Sequence, residues 1–255
     1  MKIGIMQGRL TPQKNNRIQF FPWSNWKNEF KLASKKIDLI EWTIDDFNIS
    51  QNPIFSEKSL ILSLSKKYNI KIESVTCDFL VENPFYKKGK TDIDSFKYLE
   101  KLIDVSKDLR LKYLIFPLVD NGSIENVDQE NGLIKMLSKV EKKLTKDTMI
   151  LFESDYDPKK LKHFILKFNP EKFGINYDTG NSASLGFEVK EEIDQYFEFI
   201  KNIHIKDRSF SSVSVPLGYG SFSFDQFFKL IKERVYKGNL IFQTARGKNN
   251  REMET

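Results

Sequence analysis

The 255 residues, 40% hydrophobic and with 22 phenylalanines, can build the core of one large α/β domain or of two small ones. A single cysteine, Cys77, excludes a disulfide framework and a thiolate zinc cluster. The absence of an 18-residue apolar run, or of a signal-type segment in MKIGIMQGRL, leads to the expectation of a soluble, cytoplasmic protein with no membrane partner. The net charge of +6 is spread over helix faces such as LASKKI, LSKKY and VEKKL with no nucleic-acid motif. It argues against a nucleic-acid partner and suits a small anionic substrate such as a sugar phosphate equally well.

Lys2–Gln7 reads as the first strand, followed by a long polar loop through Pro12, Asn15, Asn16 and Pro22. Ser24 or Asn25 then caps a helix whose apolar residues Trp26, Phe30, Ala33 and Ile37 share one face. The second strand is Asp38–Thr43. Ser56 opens a second helix with Leu60, Leu64 and Tyr68, and Ile70–Cys77 is the third strand. Phe96, Leu99 and Ile103 mark helix three. Strand four, Tyr113–Pro117, has its proline at the end, where a missing N–H costs least. Helix four carries Leu133, Leu137, Val140 and Leu144, and strand five is Met149–Glu153. Asp157-Pro158 is an N-cap with proline at the first helical position, opening helix five with Leu161, Ile165 and Phe168. Strand six, Phe173–Tyr177, precedes helix six with Ile193, Tyr196, Phe197 and Ile200. Strand seven is Asn202–Ile205. A Ser/Gly loop leads to helix seven with Phe224, Phe228, Ile231 and Val235, and Asn239–Gln243 is strand eight.

Short apolar strands alternating with amphipathic helices imply a parallel sheet covered by helices. Eight such units predict a (β/α)₈ TIM barrel forming a single domain over residues 1–255. The eighth helix is expected to be short or absent, because only the polar segment Gly247–Thr255 remains for it. A doubly wound open sheet is the alternative, but Gly8-Arg9-Leu10-Thr11-Pro12 is not its phosphate-binding turn.

A barrel of this kind carries its site at the C-terminal strand ends. Those ends hold Gln7 and Arg9, Glu41, Asp78, Asp120, Glu153 and Asp155, Asp178 and Asn181, His204 and Lys206, and Gln243 and Arg246. Glu41, Glu153 and Gln243 are the most informative, because each directly follows an apolar run, where an unpaired polar group is costly. Asn202–Arg208 (NIHIKDR) holds one of two histidines, His204, at a strand exit. His163 falls on a helix, at a surface position. Glu153, Asp178, His204 and Gln243 come from four successive strands and would aim oxygen and nitrogen donors at one point. Such a thiolate-free set suits Mn²⁺, Mg²⁺, Co²⁺ or Zn²⁺. Gly180 in DTGN permits a sharp turn after Asp178.

At these residues the chain resembles the xylose isomerase-like TIM barrels. The likeness is to the sugar phosphate isomerase/epimerase group, which is related to the tagatose- and psicose-type 3-epimerases and to the endonuclease IV branch. The resemblance rests on IMQGRL at Ile5–Leu10, Ile40-Glu41-Trp42, Glu153 in LFESDY, DTGN at Asp178–Asn181, HIKDR at His204–Arg208, and LGYG at Leu217–Gly220 followed by Phe224. It implies a divalent metal held by Glu153, Asp178, His204 and the strand-eight residue. It also implies two glutamates flanking the substrate carbon and passing a proton through an enediolate, with the metal as Lewis acid. Glu153 matches the first glutamate. The second position is Gln243, whose amide binds a metal through oxygen but cannot act as a base.

Three readings follow: a one-base isomerase using Glu153; an epimerase recruiting another group such as Glu41, Asp78 or Lys206; or a non-catalytic carbohydrate- or metabolite-binding barrel that retains the metal site. Two histidines are too few for the trinuclear zinc site that an endonuclease IV resemblance implies, or for the catalytic histidine of a true xylose isomerase. The partner expected is a small carbohydrate or sugar phosphate, and a homo-oligomer stays open. Expected substrate contacts are Gln7, Arg9, Glu41, Trp42, Asp78, Asn181, Lys206, Arg208 and Arg246. The arginines and Lys206 would meet an anionic group, aided by the backbone N–H groups of Gly218 and Gly220, and Trp42 would form an apolar wall.

Overall fold

The computed structural model describes residues 1–12, 19–34, 36–87 and 94–246. Its barrel strands are β1 (Lys2–Met6), β2 (Leu39–Thr43), β3 (Ser74–Thr76), β4 (Tyr113–Leu118), β5 (Met149–Ser154), β6 (Phe173–Asp178) and β7 (Ile200–Ile205). An antiparallel pair, β8 (Asp207–Arg208) and β9 (Ser214–Val215), follows before the eighth barrel strand, β10 (Asn239–Phe242). The eight barrel strands are parallel and close in the order β1-β10-β7-β6-β5-β4-β3-β2. This is the expected (β/α)₈ barrel. The expectation for an eighth helix falls on 247–255, outside the described residues.

The covering helices are α1 (Trp26–Ala33), α3 (Lys58–Tyr68), α5 (Ser95–Leu109), α6 (Val127–Glu141), α7 (Pro158–Ile165), α9 (Val189–Tyr196) and α10 (Phe224–Glu233). Shorter helices are α2 (Pro53–Ser56), α4 (Phe79–Glu82) and α8 (Thr179–Leu185). Among the described residues no helix is long and apolar enough to cross a membrane.

Alternation along each strand decides what it faces. Ile40 and Trp42 of β2 turn outward into the core between barrel and helices, where Trp42 packs on Phe21 and Trp26 at centroid distances of 5.4 Å. On the far side Phe152 packs among Phe116, Phe164, Phe168 and Phe173, and Tyr177 stacks on Phe227. Inside the barrel, Met6, Leu39 and Ile241 form a separate apolar cluster. The inward positions closer to the C-terminal ends are polar.

Several boundaries differ from expectation. Ser56 ends α2 instead of opening the next helix. Asn52 caps α2, accepting from Ile54 N, and Pro53 takes the first helical position. The third strand shrinks to Ser74–Thr76. Ile200 begins β7, because α9 tightens into a 3₁₀ turn over Phe197–Phe199. Val235 lies just past α10 with φ +56°, where its N–H reaches Lys232 O and that of Tyr236 reaches Ile231 O, a left-handed helix stop. Asp157 caps α7 as expected, accepting from Lys159 N and Lys160 N.

The β6–β7 pairing holds a bulge. Ile175 pairs with Ile200 but Asn176 with Asn202, so Lys201 is an extra residue. Beyond it Asp178 lies beside His204.

Candidate active site

His204 is completely enclosed inside the barrel. Its Nε2 lies 2.7 Å from Glu41 Oε1 on β2, across the barrel. Glu41 also accepts from Ser74 Oγ and Thr76 Oγ1, both at 2.6 Å, and from Asn202 Nδ2 at 3.1 Å. Burial alone would raise the Glu41 pKa, but His204, Ser74 and Thr76 outweigh it and hold the carboxyl below its ordinary value. For His204 burial favours the neutral ring, yet the carboxylates of Glu41 and Glu153 push its pKa well above the ordinary value. With Glu41 as acceptor, Nε2 is the N–H end of the ring. The other nitrogen, Nδ1, is turned toward Glu153 Oε2 at 3.0 Å and Asp178 Oδ2 at 3.7 Å, with no properly angled hydrogen bond to either.

Glu153, on β5, is held by side-chain amides: Asn176 Nδ2 donates to Oε2 at 2.7 Å and Asn181 Nδ2 to Oε1 at 2.9 Å. Asp178 ends β6 and caps α8, its Oδ1 accepting from Gly180 N and Asn181 N. Its Oδ2 faces the Lys206 ammonium at 2.8 Å. Burial would raise the Asp178 pKa, but Lys206 and His204 reverse the shift and hold it below the usual range. Gly180 contributes differently from the expected sharp turn. It sits in α8, where a Cβ would come within 2.6 Å of Lys206 Cε, so its bareness lets the lysine stem lie across the helix start. Gln243 Nε2 touches Met6 Sδ at 3.1 Å, and its buried Oε1 has no hydrogen-bond partner.

Donor atoms of Glu153, Asp178 and His204 lie within 4.8 Å of one another. An unbonded imidazole nitrogen, oriented from behind by a carboxylate, together with hard oxygen donors, fits a divalent cation.

A cavity of about 470 Å³ opens beside this group, lined by Asp78, Glu153, Asn181, Lys206, Arg208 and Gln243 among others. Asp78 Oδ2 is buried without a hydrogen-bond partner, and burial plus the carboxylates of Glu153 and Asp45 push its pKa up to about 8. Arg208 donates to Ser212 O at 2.8 Å and to Asn181 Oδ1 at 3.3 Å.

Other expected contacts lie elsewhere. Glu41 stands behind His204. Trp42, on the opposite face of β2, is enclosed in the outer core with Nε1 donating to Asn52 Oδ1. Gln7 is buried against β2, its Oε1 accepting from Thr43 N. Arg9 is buried, donating to Thr244 O at 2.9 Å and Gln19 Oε1 at 3.0 Å, and burial together with Arg246 lowers its pKa to about 9. Arg246 donates to Gly8 O and Thr11 O and lies over Phe20. The N–H groups of Gly218 and Gly220 do bind an anion, but it is the enclosed Asp207 carboxylate, at 2.9 Å from each. His163 is on the surface, as expected.

The model of the xylose isomerase-like TIM barrel family matches residues 31–254. The chain belongs to that family. Among solved structures it is similar to the apo form of 3-keto-D-glucoside 4-epimerase from E. coli (12% identity, TM-score 0.73, covering 99% of this chain and 95% of that one). It is also similar to a D-tagatose 3-epimerase-like protein (15%, 0.69, 99% and 92%) and to the IOLI protein with a binding zinc atom (15%, 0.71, 99% and 93%). At these identities the likeness is one of fold. No curated protein matches the chain.

Within this xylose isomerase-like barrel, Asn176 and Asn202 were not among the expected site residues. Asn202 bridges Glu41 and Asn176, and Asn176 holds Glu153, so a chain of hydrogen bonds links β2, β7, β6 and β5 across the interior. The available signal was an asparagine inside each of two short strands, GINYD and IKNIHI, two residues ahead of Asp178 and His204.

Proposed function

We propose that this chain is a divalent-metal-dependent isomerase or epimerase of a sugar, moving a proton on the carbon beside a carbonyl by way of an enediolate. The observation that carries this reading is the convergence of Glu153, Asp178 and His204 within 4.8 Å beside an accessible cavity, with His204 Nδ1 unbonded. Glu153, Asp178, His204 Nδ1 and Gln243 Oε1 would hold the ion. Bound there, a divalent ion supplies Lewis-acid polarisation of a substrate carbonyl. Glu153 is the general base. Asn181 and Asn176 orient its carboxylate, and a positioned base of this kind is worth about 10²–10⁴ in rate. Asn181 and Arg208 offer hydrogen bonds to sugar hydroxyls, and Lys206 neutralises Asp178. The epimerases among the similar folds agree with this chemistry.

The lining favours an unphosphorylated sugar. Among the described residues it presents six carboxyl groups against only Lys206 and Arg208, while Arg9 and Arg246 are engaged with Gln19 and backbone carbonyls. Gln243 favours a second reading, a sugar-binding barrel without turnover. Solvent exchange separates the two. With Mn²⁺ bound, substrate C–H hydrogen is expected to exchange with deuterated water in a panel of free and phosphorylated ketoses and aldoses, with the free sugars reacting faster. No exchange across the panel, with metal demonstrably bound, would sink the enzyme reading.

A further inference from the structure

Gln243 cannot release a proton, so a reaction that returns a proton to the face of the enediolate opposite Glu153 needs another donor facing the cavity. We propose that Asp78 is this second proton-carrying residue, a role that rests on the isomerase/epimerase reading above.

Several other groups near the centre are committed. Glu41 is enclosed and accepts from Ser74, Thr76, Asn202 and His204. Lys206 Nζ is engaged by Asp178. Asp45 Oδ2 accepts from Phe21 N, which ties it to the chain after β1. Glu192 lies away from the main cavity and accepts from Tyr177, Ser182 and Tyr196. Asp78 follows β3 and lines the same cavity as Glu153 and Gln243, and its buried Oδ2 receives no hydrogen bond. A carboxyl in that setting, with a buried oxygen that receives no donor and with other carboxylates near, keeps its proton at neutral pH. The direction of its pKa shift agrees.

The step balances without an oxidant or reductant. Glu153 takes the proton from the carbon beside the substrate carbonyl. The C–H electron pair becomes the C=C bond of the enediolate, and the carbonyl π pair moves onto oxygen. Asp78 then gives its proton to carbon: the C=C pair forms the new C–H bond, the carbonyl re-forms, and Asp78 is left as carboxylate. Water reprotonates Asp78 and accepts the proton held by Glu153.

The test uses the full chain loaded with Mn²⁺ in deuterated water, on whichever sugar the wild type exchanges. In Asp78→Asn, exchange of the substrate C–H is expected to persist while net product falls by about 10²–10⁴-fold. Glu153→Gln is expected to lose both. If Asp78→Asn does not fold, Asp78→Ser carries the same expectations. Equal loss of exchange and product in the Asp78 variant, or loss of neither, would overturn the proposal. A wild type that exchanges no sugar overturns the underlying reading, and the proposal falls with it.

Discussion

Glu29 and Asp207 are buried as deeply as Glu153 and Asp178, but their partners differ in kind. Glu29, on α1, accepts from the backbone N–H groups of Gly8 and Leu10 and lies within reach of Thr11 Oγ1, clamping the loop after β1. Asp207 accepts from Gly218, Gly220 and Phe222 N–H and shapes the loop before α10. Backbone donors are fixed in place, so these two carboxylates are spent on holding the chain. Glu153 is met by side-chain amides and Asp78 keeps a buried oxygen without a hydrogen bond, while Asp178 gives one oxygen to the Gly180 and Asn181 N–H groups and turns the other to Lys206. A buried carboxylate is thus not in itself a sign of chemistry. A carboxylate with both oxygens on backbone donors, as in Glu29 and Asp207, is a clamp, whereas one with an oxygen free of them can face the cavity.

The sharpest break between the two kinds should come from Glu153→Gln. It is expected to cut solvent exchange or turnover by about 10²–10⁴-fold, with urea unfolding close to wild type. If unfolding shifts as much as activity does, Glu153 belongs with the clamps.

Glu29 gives the next largest effect, in stability. Burial raises its pKa to about 7 from 4.5, so the folded chain binds this proton more tightly than the unfolded one. The contribution is whole below pH 4.5 and is lost as pH rises to about 7, a change of about 3 kcal/mol. Glu29→Gln should flatten that part of the stability–pH curve in urea titrations, and an unchanged slope would place the titration elsewhere.

Asp207→Ala should destabilise by about 2 kcal/mol, because the Gly218 and Gly220 N–H groups lose their acceptor. Mn²⁺ binding, followed by calorimetry, should be retained. Loss of metal with little loss of stability would erase the distinction. The smallest effect is expected at Val235, where a β-branched residue sits at φ +56° and is largely exposed. Val235→Gly should raise stability by about 1 kcal/mol in thermal unfolding while leaving both kinds of carboxylate untouched.

The barrel was legible because strand and helix periods differ and because eight units alternate along the chain. The outward residues Ile40, Trp42, Phe152 and Tyr177 supply the apolar signal, so polar inward neighbours did not hide the strands. Boundaries failed where a cap or a left-handed stop decided them, at Asn52 and Val235. Of the site, the convergence of Glu153, Asp178 and His204 follows from their strand-end positions alone. Glu41 was visible as a polar residue in an apolar run, but sequence order says nothing about which partner stands across the barrel. Arg9 and Arg246 read as anion binders because their carbonyl partners leave no mark in side-chain pattern. The LGYG glycines were rightly read as amide donors, but their anion lies ten residues upstream of the motif's start, in the chain itself.

The extra residue at Lys201 makes the inward-facing set of β7 a matter of parity. Successive side chains in a strand point to opposite faces, so the one unpaired residue after Ile200 decides whether histidine or isoleucine looks inward. Regular pairing through Lys201, without the bulge, would present Ile203 and Ile205 to the interior and turn His204 toward the helices, with every residue of the site still in the chain. Point substitutions weaken this centre by degrees, whereas a one-residue slip in this strand's register would remove it outright.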